Sequence, residues 1–326
     1  QLPSKLGDIR NMFTAGSGEV LISCDIKKQE VVVASLISGD RKLQEALKSG
    51  LDVYSKIASI AFDNTYEDNL EFFPDGTTNK EGKARRASAK AVTLGLLYSK
   101  GIKSISEDLH ITIEKAQEVY DAVLKAFPQL ANWIKSAQEK AQELGYIDGM
   151  FGRRRRLPDI KLPPYEFEFK MELDNKSKEY YTNLYTKKLD SIFKQEDKQK
   201  VINDAKYKGI IIKQNGGFIA KASREIINSS VQGSSADICK RIIIEIANNR
   251  RLAELGCKLQ MSIHDEQIVS CPKENAYEVS RLLADITAKS TGDTPVKLEV
   301  DIAVSEKWYG PEYKFDENNK LVKKGN

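Results

Sequence analysis

Short apolar segments rich in β-branched residues lie near both ends of the chain, whereas helical patterns fill its middle. Segments 19–24, 261–270 and 296–304 have the length and composition of buried strands. Between the first two, apolar residues recur at helical spacing, with a loop at 65–82 and a break at Pro128. Strands flanking a long helical stretch predict an α+β fold, in which a sheet built from both chain ends carries an inserted helical subdomain.

The same pattern predicts where the regions begin and end. Residues 1–40 and 214–326 should form the sheet-containing part, and residues 41–160 the helical subdomain. Residues 161–213 are rich in lysine and glutamate and have little apolar periodicity. Such a segment is typical of a helical excursion or a mobile flap, so we treat it as a charged insert.

Charge and cysteine usage restrict the function classes only mildly. Lys and Arg number 51 against 47 Asp and Glu, and the net charge of +4 is compatible with a phosphate-rich partner. Four cysteines without close paired spacing and only two histidines argue against a zinc site and favour a reduced, intracellular setting. No apolar run approaches the roughly 20 residues that cross a bilayer, so no membrane partner is expected.

Two aspartates lie where predicted strands end. Asp25 follows segment 19–24, and Asp265 lies in Ile-His-Asp-Glu-Gln-Ile between two apolar stretches. Alone, Asp25 could cap the next helix, and Asp265 could mark a polar hairpin tip, although such tips favour Gly and Asn. If the two strands are neighbours, the carboxylates meet, and like charges that close need divalent cations to stay ionised. We therefore hypothesise that the two carboxylates hold two Mg²⁺ ions, which bind the attacking and leaving oxygens of a phosphoryl-transfer reaction.

A basic helix is predicted at 85–98 (RRASAKAVTLGLLY). Arg86, Lys90, Leu94 and Tyr98 recur every four residues and therefore share one face. Cations at the start of this face and an apolar, aromatic surface at its end suit a nucleoside triphosphate lying along the helix. The alternative is a solvated basic face above a packed apolar one.

Two further groups have the chemistry of nucleic-acid contacts. Arg224, Asn228 and Gln232 recur at i, i+4 and i+8, and these residue types reach nucleic-acid edges and backbones. Residues 153–156 are four consecutive arginines in a predicted turn, which could be a phosphate clamp or a solvated basic loop.

Six segments, taken in order, resemble DNA polymerases of family A, the polymerase I-like group, and especially its phage-type members. They are DIRNMF (8–13), SCDIKKQE (23–30), RRASAKAVTLGLLYSKG (85–101), GYIDGMFGRRRRLPDI (145–160), REIINSSVQGSSADICK (224–240) and IHDEQIV (263–269). The resemblance implies a right-hand polymerase with an antiparallel-sheet palm at 1–40 and 214–326 and fingers at 41–160. The thumb and the exonuclease domain are expected to be absent from this chain, and a second polypeptide could supply them.

The resemblance also implies the reaction and its partners. The chain would add dNTPs to the 3′-OH of a primer on primer–template DNA, in the cytoplasm of a bacterium or a phage-infected host cell. Two Mg²⁺ ions, replaceable by Mn²⁺, would act there. Asp25 and Asp265 would be the metal ligands, Glu266 would support them, and Lys90 would protonate the pyrophosphate leaving group.

Further roles follow residue by residue from the same resemblance. Glu30 would pack under the sugar and exclude a ribose 2′-OH. The implied nucleotide contacts are Glu30, Tyr54, Arg86, Lys90, Leu94 and Tyr98. The implied primer–template contacts are Arg153, Arg154, Arg224, Asn228, Gln232 and His264.

Some positions depart from the family pattern. Leu94 stands where an aromatic residue is usual, Tyr54 replaces a histidine, and Val32 replaces an arginine. Two alternatives to a DNA polymerase core remain. One is a single-subunit RNA polymerase, against which the bulky Glu30 argues. The other is a non-catalytic or weakly active nucleic-acid-binding half of a split polymerase.

Overall fold

The computed structural model describes residues 10–308 and 310–324, so the first residues of segment 8–13 lie outside it. The chain divides into two compact units. The described residues of Gln1–Ser136, Asp148–Arg153 and Ile227–Asn326 form the first, and Ala137–Ile147 with Arg154–Ile226 the second. The boundaries expected at residues 40 and 160 do not coincide with this division and stay predictions.

The elements are numbered in chain order. The strands are β1 (Glu19–Ile26), β2 (Tyr146–Asp148), β3 (Arg154–Arg156), β4 (Tyr165–Phe169), β5 (Ile210–Gln214), β6 (Lys258–Ile263), β7 (Glu266–Pro272), β8 (Val300–Ser305), β9 (Glu312–Phe315) and β10 (Leu321–Lys323). The helices are α1 (Gln29–Ser38), α2 (Arg41–Lys48), α3 (Val53–Ala61), α4 (Lys80–Leu97), α5 (Ile102–Leu109), α6 (Ile113–Ala126), α7 (Pro128–Leu144), α8 (Asn175–Asp190), α9 (Gln195–Tyr207), α10 (Gly216–Asn248), α11 (Arg250–Glu254) and α12 (Ala276–Lys289). None of these helices is long and apolar enough to cross a bilayer.

Six strands of the first unit form one antiparallel sheet in the order β10-β9-β8-β1-β7-β6. Strand β1, from the start of the chain, pairs with β7 on one side and β8 on the other. The predicted α+β fold, with a sheet assembled from both chain ends, is therefore confirmed. The strand expected at 296–304 begins only at Val300, although Val296 and Leu298 before it are buried.

Alternation along β1 buries one face of the strand and places Asp25 on the other. Val20, Ile22, Cys24 and Ile26 are all buried, and Cys24 Sγ lies 3.9 Å from Thr287 Oγ1 of α12, which covers this face. Because successive side chains point to opposite sides of a strand, Asp25 lies on the other face. The apolar alternation of β1 thus presents this carboxylate outward.

The segment that follows β1 is a helix, although its run of three valines made helix and strand equally compatible with the sequence. Helix α1 begins after Lys28, with φ 51°, and ends at Gly39, with φ 67°. Glycine tolerates this left-handed conformation without a Cβ clash and is the common residue just past a helix end. Val31, Val32 and Val33 are all buried, so packing outweighs their modest helix propensity.

The charged insert at 161–213 is an ordered layer of the second unit. Strands β4 and β5 pair antiparallel, and helices α8 and α9 connect them. Their buried cluster is formed by Tyr185, Leu189, Ala205, Ile210 and Ile212. The expected helical excursion is present, but it has its own strands and core. Its apolar residues come from two strands and two helices, so no single window of the sequence contains them all.

Candidate active site

Asp25 and Asp265 lie on neighbouring strands. Asp25 is paired in register with Glu266, the first residue of β7, and the N–H of Ile26 donates to the Asp265 carbonyl oxygen at 3.3 Å. These residues come from opposite ends of the chain and meet because β1 lies between β7 and β8. The adjacency on which the paired-carboxylate hypothesis depends is present.

Asp265 occupies the tip of a tight hairpin. Strands β6 and β7 pair up to Ile263 and Glu266, which leaves His264 and Asp265 as a two-residue turn. His264 is exposed and adopts φ 56°, the left-handed conformation that short hairpin turns require and that Gly or Asn usually supplies. Cys239 Sγ also donates to the His264 carbonyl at 3.3 Å. The turn therefore holds Asp265 beside β1 at some cost in backbone energy.

Acidic residues surround Asp25 from several elements. Burial raises the pKa of Asp25 to about 6, together with the charges of Asp265, Glu266, Asp301 and Glu30. Burial also raises the pKa of Asp265, with Glu30 and Glu266 adding to the effect and a backbone hydrogen bond and the charge of His264 opposing it. No ion pair among residues 10–308 and 310–324 involves either aspartate. The charges of the neighbouring carboxylates thus oppose ionisation of Asp25.

The residues present fit a magnesium ion held jointly with a substrate. Within the described part of the chain, no three His, Cys, Asp or Glu side chains are grouped closely enough to hold a metal by themselves. Mg²⁺ is usually bound by one or two carboxylates, with substrate phosphates and water completing its octahedron. Asp25 and Asp265 provide two such carboxylates, and neither forms an ion pair with another described residue.

Asp301 is a further acidic residue beside Asp25, and the sequence pattern did not single it out. It pairs with Asp25 across β1 and β8, and its Oδ1 lies 2.7 Å from Lys27 Nζ. This ion pair compensates the charge of Asp301, so Asp301 differs electrostatically from Asp25. The sequence feature that could have identified Asp301 is the alternation in VDIAVS, which places Asp301 and Ala303 on the same face of β8.

Glu266 is held by two hydrogen-bond donors, neither of which was expected from the sequence. The Ser23 hydroxyl donates to Glu266 Oε1, and the Trp308 indole Nε1 donates to the same oxygen at 3.4 Å. Trp308 is buried, its ring is nearly perpendicular to that of Phe13 with the centroids 5.7 Å apart, and the Arg10 guanidinium lies 4.9 Å from the ring centroid. Glu266 is thus fixed in orientation next to Asp25.

Two cationic side chains of the basic helix α4 lie close to the ring of Tyr54. Arg86 Cζ and Lys90 Nζ each lie 5.7 Å from the centroid of its ring. Burial raises the pKa of Tyr54, with Glu30 and Asp52 adding to the effect, so its hydroxyl stays protonated at neutral pH. The structure brings these three predicted nucleotide contacts together, with the Lys90 ammonium exposed.

The other end of α4 meets α1 and α10. Tyr98 Oη donates to Glu30 Oε1 at 2.7 Å. Burial raises the pKa of Tyr98 to about 12, the hydrogen bond to Glu30 adds to this, and a hydrogen bond with Gln232 opposes it. Glu30, Tyr98 and Gln232 are therefore in contact. Leu94, between Lys90 and Tyr98 on this face, is partly buried.

The predicted primer–template contacts are placed as follows. Arg153 Nη1 pairs with Asp237 Oδ1 at 2.9 Å, and Asn228 Oδ1 is buried with no hydrogen-bond partner in the described chain. Arg154 Cζ lies 3.6 Å from the Tyr146 ring centroid, and Arg224 is exposed. Arg154 and Arg224 belong to the second compact unit, and the other four predicted contacts to the first.

Comparison with known proteins identifies the family. The sequence model of DNA polymerase family A matches residues 3–310. The chain belongs to this family. DNA polymerase I, thermostable, from Thermus aquaticus is 26% identical over 300 residues, which cover 92% of the chain and 28% of that protein. DNA polymerase I from Geobacillus stearothermophilus is 26% identical over 302 residues, or 92% of the chain and 27% of that protein.

A solved structure confirms the fold. The POL domain of Pol1 from M. smegmatis, in complex with DNA primer-template and dNTP, superimposes with a TM-score of 0.67 at 21% identity. The match covers 95% of the chain and 43% of that protein. The chain spans about a quarter of the length of the curated family A relatives named above. The phage-type subgroup stays a prediction.

Proposed function

We propose that the chain is the polymerising core of a DNA-directed DNA polymerase that adds dNTPs to the 3′-OH of a templated primer. One observation carries the proposal: Asp25 and Asp265 come together where β1 pairs with β7, and no ion pair among residues 10–308 and 310–324 involves either of them. Membership of family A and the similarity to a Pol1 domain solved with DNA primer-template and dNTP support it. The test is primer extension by this chain, with Mg²⁺ and with EDTA.

Asp25 and Asp265 would hold two Mg²⁺ ions, or Mn²⁺ in their place. When bound, such ions lower the pKa of the primer hydroxyl and neutralise negative charge on the phosphates. The carboxylates would supply the fixed oxygen ligands, and Glu266, fixed by Ser23 and Trp308, would keep a defined geometry beside them.

The remaining steps would use side chains of α4 and its neighbours. Arg86 and Lys90 would bind the triphosphate, and the exposed Lys90 ammonium would give a proton to the departing pyrophosphate. Tyr54, whose hydroxyl stays protonated, could donate to the same phosphates. Leu94 and Tyr98 would flank the sugar and the base.

Primer–template DNA would be held by Arg153, Arg154, Arg224, Asn228, Gln232 and His264. The cationic residues among them would contact phosphates and give binding a steep salt dependence. Asn228 and Gln232 are able to reach base edges. The comparisons give no support for a second polypeptide, so the extension assay begins with this chain alone.

Sugar selection would depend on Glu30. The hydrogen bond from Tyr98 fixes the Glu30 side chain, so a ribose 2′-OH would meet a rigid carboxylate. We expect Glu30→Ala to reduce the preference for dNTPs over rNTPs by about 10- to 100-fold, the cost of one badly placed polar group. The ratio of kcat/KM values for the two nucleotides measures this effect.

Tyr98→Phe is the matched variant for this prediction, because it removes the hydrogen bond and keeps both the ring and Glu30. It should relax discrimination less than Glu30→Ala. An unchanged ratio in Glu30→Ala contradicts the assignment. Equal use of rNTPs and dNTPs by the unaltered chain would favour the RNA polymerase alternative.

A further inference from the structure

The Arg86 guanidinium is held by two carboxylates. Its Nε and Nη2 donate to Asp52 Oδ1 and Oδ2 at 2.9 and 2.8 Å, and Nη1 donates to Glu71 Oε1 at 3.1 Å. The side chain is 24% exposed, so these contacts are partly shielded from water. In the proposed function, the same guanidinium contacts a triphosphate. These bonds use three of the five guanidinium N–H groups, so a ligand phosphate has to bind the two that remain or replace one of these partners.

The two carboxylates differ in how firmly they hold Arg86. Asp52 engages both ends of the guanidinium fork and also caps α3 by accepting the Ser55 N–H at 2.8 Å. Although burial opposes it, hydrogen bonds from Arg86 and Ser55 lower the pKa of Asp52. Glu71 makes a single contact, and its side chain is 34% exposed. Glu71 is the partner that a phosphate can replace at lower cost.

The loop that carries Glu71 is fixed by its main chain. The Asn79 N–H donates to the Glu71 carbonyl at 2.9 Å. Arg85, the neighbour of Arg86, donates to Asn69 Oδ1 at 2.9 Å and to the Asp68 carbonyl at 2.8 Å. Only the Glu71 side chain has to rotate to release Arg86, so the exchange needs no loop rearrangement.

The helix approaches this loop closely at one glycine. A Cβ on Gly82 would lie 2.4 Å from the Leu70 carbonyl oxygen, a distance that no side chain could occupy. The tight contact holds the backbone next to Glu71 against α4, with the Glu71 carboxylate within reach of Arg86.

We propose that Glu71 is an internal competitor of the nucleotide triphosphate. Without nucleotide, its carboxylate occupies Arg86 Nη1. When a triphosphate binds, Glu71 rotates away, and Asp52 keeps the guanidinium oriented. The inference rests on the proposed function only through the contact of Arg86 with phosphate. Because Glu71 acts before chemistry, it raises the KM for dNTPs and leaves kcat unchanged.

The test compares Glu71→Gln with Glu81→Gln. Glu81 pairs with Arg85 Nη1 at 3.2 Å on the same helix, so its replacement removes the same charge beside the neighbouring arginine. We expect Glu71→Gln to lower the dNTP KM by about 2- to 5-fold, the range for a partly exposed ion pair. The inhibition constant of pyrophosphate should fall by a similar factor. Glu81→Gln should change neither value.

Arg86→Ala separates this inference from the proposed function. A raised dNTP KM in Arg86→Ala, together with an unchanged or raised KM in Glu71→Gln, overturns the inference alone. An unchanged KM in Arg86→Ala would show that Arg86 does not contact the triphosphate and would overturn the inference, whereas the proposed polymerase activity is tested separately by primer extension with Mg²⁺ and with EDTA. In the double variant, Glu71→Gln should have no effect on KM, because its target is gone. A full effect of Glu71→Gln in that background would also overturn the inference.

Discussion

Replacing Asp25 or Asp265 by asparagine is expected to lower magnesium-dependent primer extension by about 10³-fold or more. Asparagine keeps the size of the side chain but removes the charge that would hold a divalent cation. Single-turnover extension of a labelled primer measures this loss. Affinity for primer–template DNA, measured by fluorescence anisotropy, should stay nearly unchanged, since neither aspartate is a cationic phosphate contact.

Asp301→Asn is the matched control for this result. Asp301 lies in register with Asp25 on the neighbouring strand β8, but its charge is compensated by Lys27 at 2.7 Å. We expect its replacement to change extension by less than about 3-fold, as for a surface ion pair. Extension at a normal rate by either Asp25→Asn or Asp265→Asn would contradict the assignment of the metal ligands.

Asp40→Ala is expected to lower the free energy of unfolding by about 3–4 kcal/mol. Asp40 is fully buried. Its Oδ1 accepts the Leu43 N–H at the start of α2, and its Oδ2 accepts the N–H groups of Gln129 and Leu130 at the start of α7. Alanine would leave three N–H groups without this acceptor and would separate two helix starts. Urea denaturation followed by circular dichroism measures the change.

Thr112→Ala is the comparison variant in the same compact unit. Thr112 is exposed and caps α6 by accepting only the Lys115 N–H, at 3.2 Å. Its loss should cost about 1 kcal/mol or less, because water can replace a single exposed acceptor. Equal destabilisation by the two variants would show that the hydrogen bonds from buried Asp40 to two helix starts contribute no more to stability than a single exposed cap.

The sequence predicts the location of each carboxylate better than their relationship. Asp25 could be placed at a strand end, and Asp265 near a hairpin tip, because apolar segments beside them set the local structure. Their proximity depends on β1 pairing between β7 and β8, which no local pattern encodes. The order of the family motifs therefore supplied what periodicity could not.

The residues that hold Arg86 were not expected from the sequence, because they are distant from Arg86 along the chain. The i, i+4 pattern of α4 correctly groups Arg86 with Lys90, because helical geometry is local. Asp52 and Glu71, which hold Arg86, are 34 and 15 residues away from it. Similarly, Ser23 and Trp308 reach Glu266 only through the sheet and the chain end. Long-range side-chain pairing of this kind needs the fold.

Manganese binding tests the central claim most directly, since it reports the metal site without catalysis. The decrease of the free Mn²⁺ electron paramagnetic resonance signal on addition of the chain, relative to the same dNTP solution without protein, gives the affinity. The unaltered chain and Asp301→Asn should bind Mn²⁺ alike, and affinity should fall below about pH 6, where protons compete for Asp25. Asp25→Asn and Asp265→Asn should each bind at least about tenfold more weakly. Unchanged Mn²⁺ affinity in both variants would contradict the paired-carboxylate site.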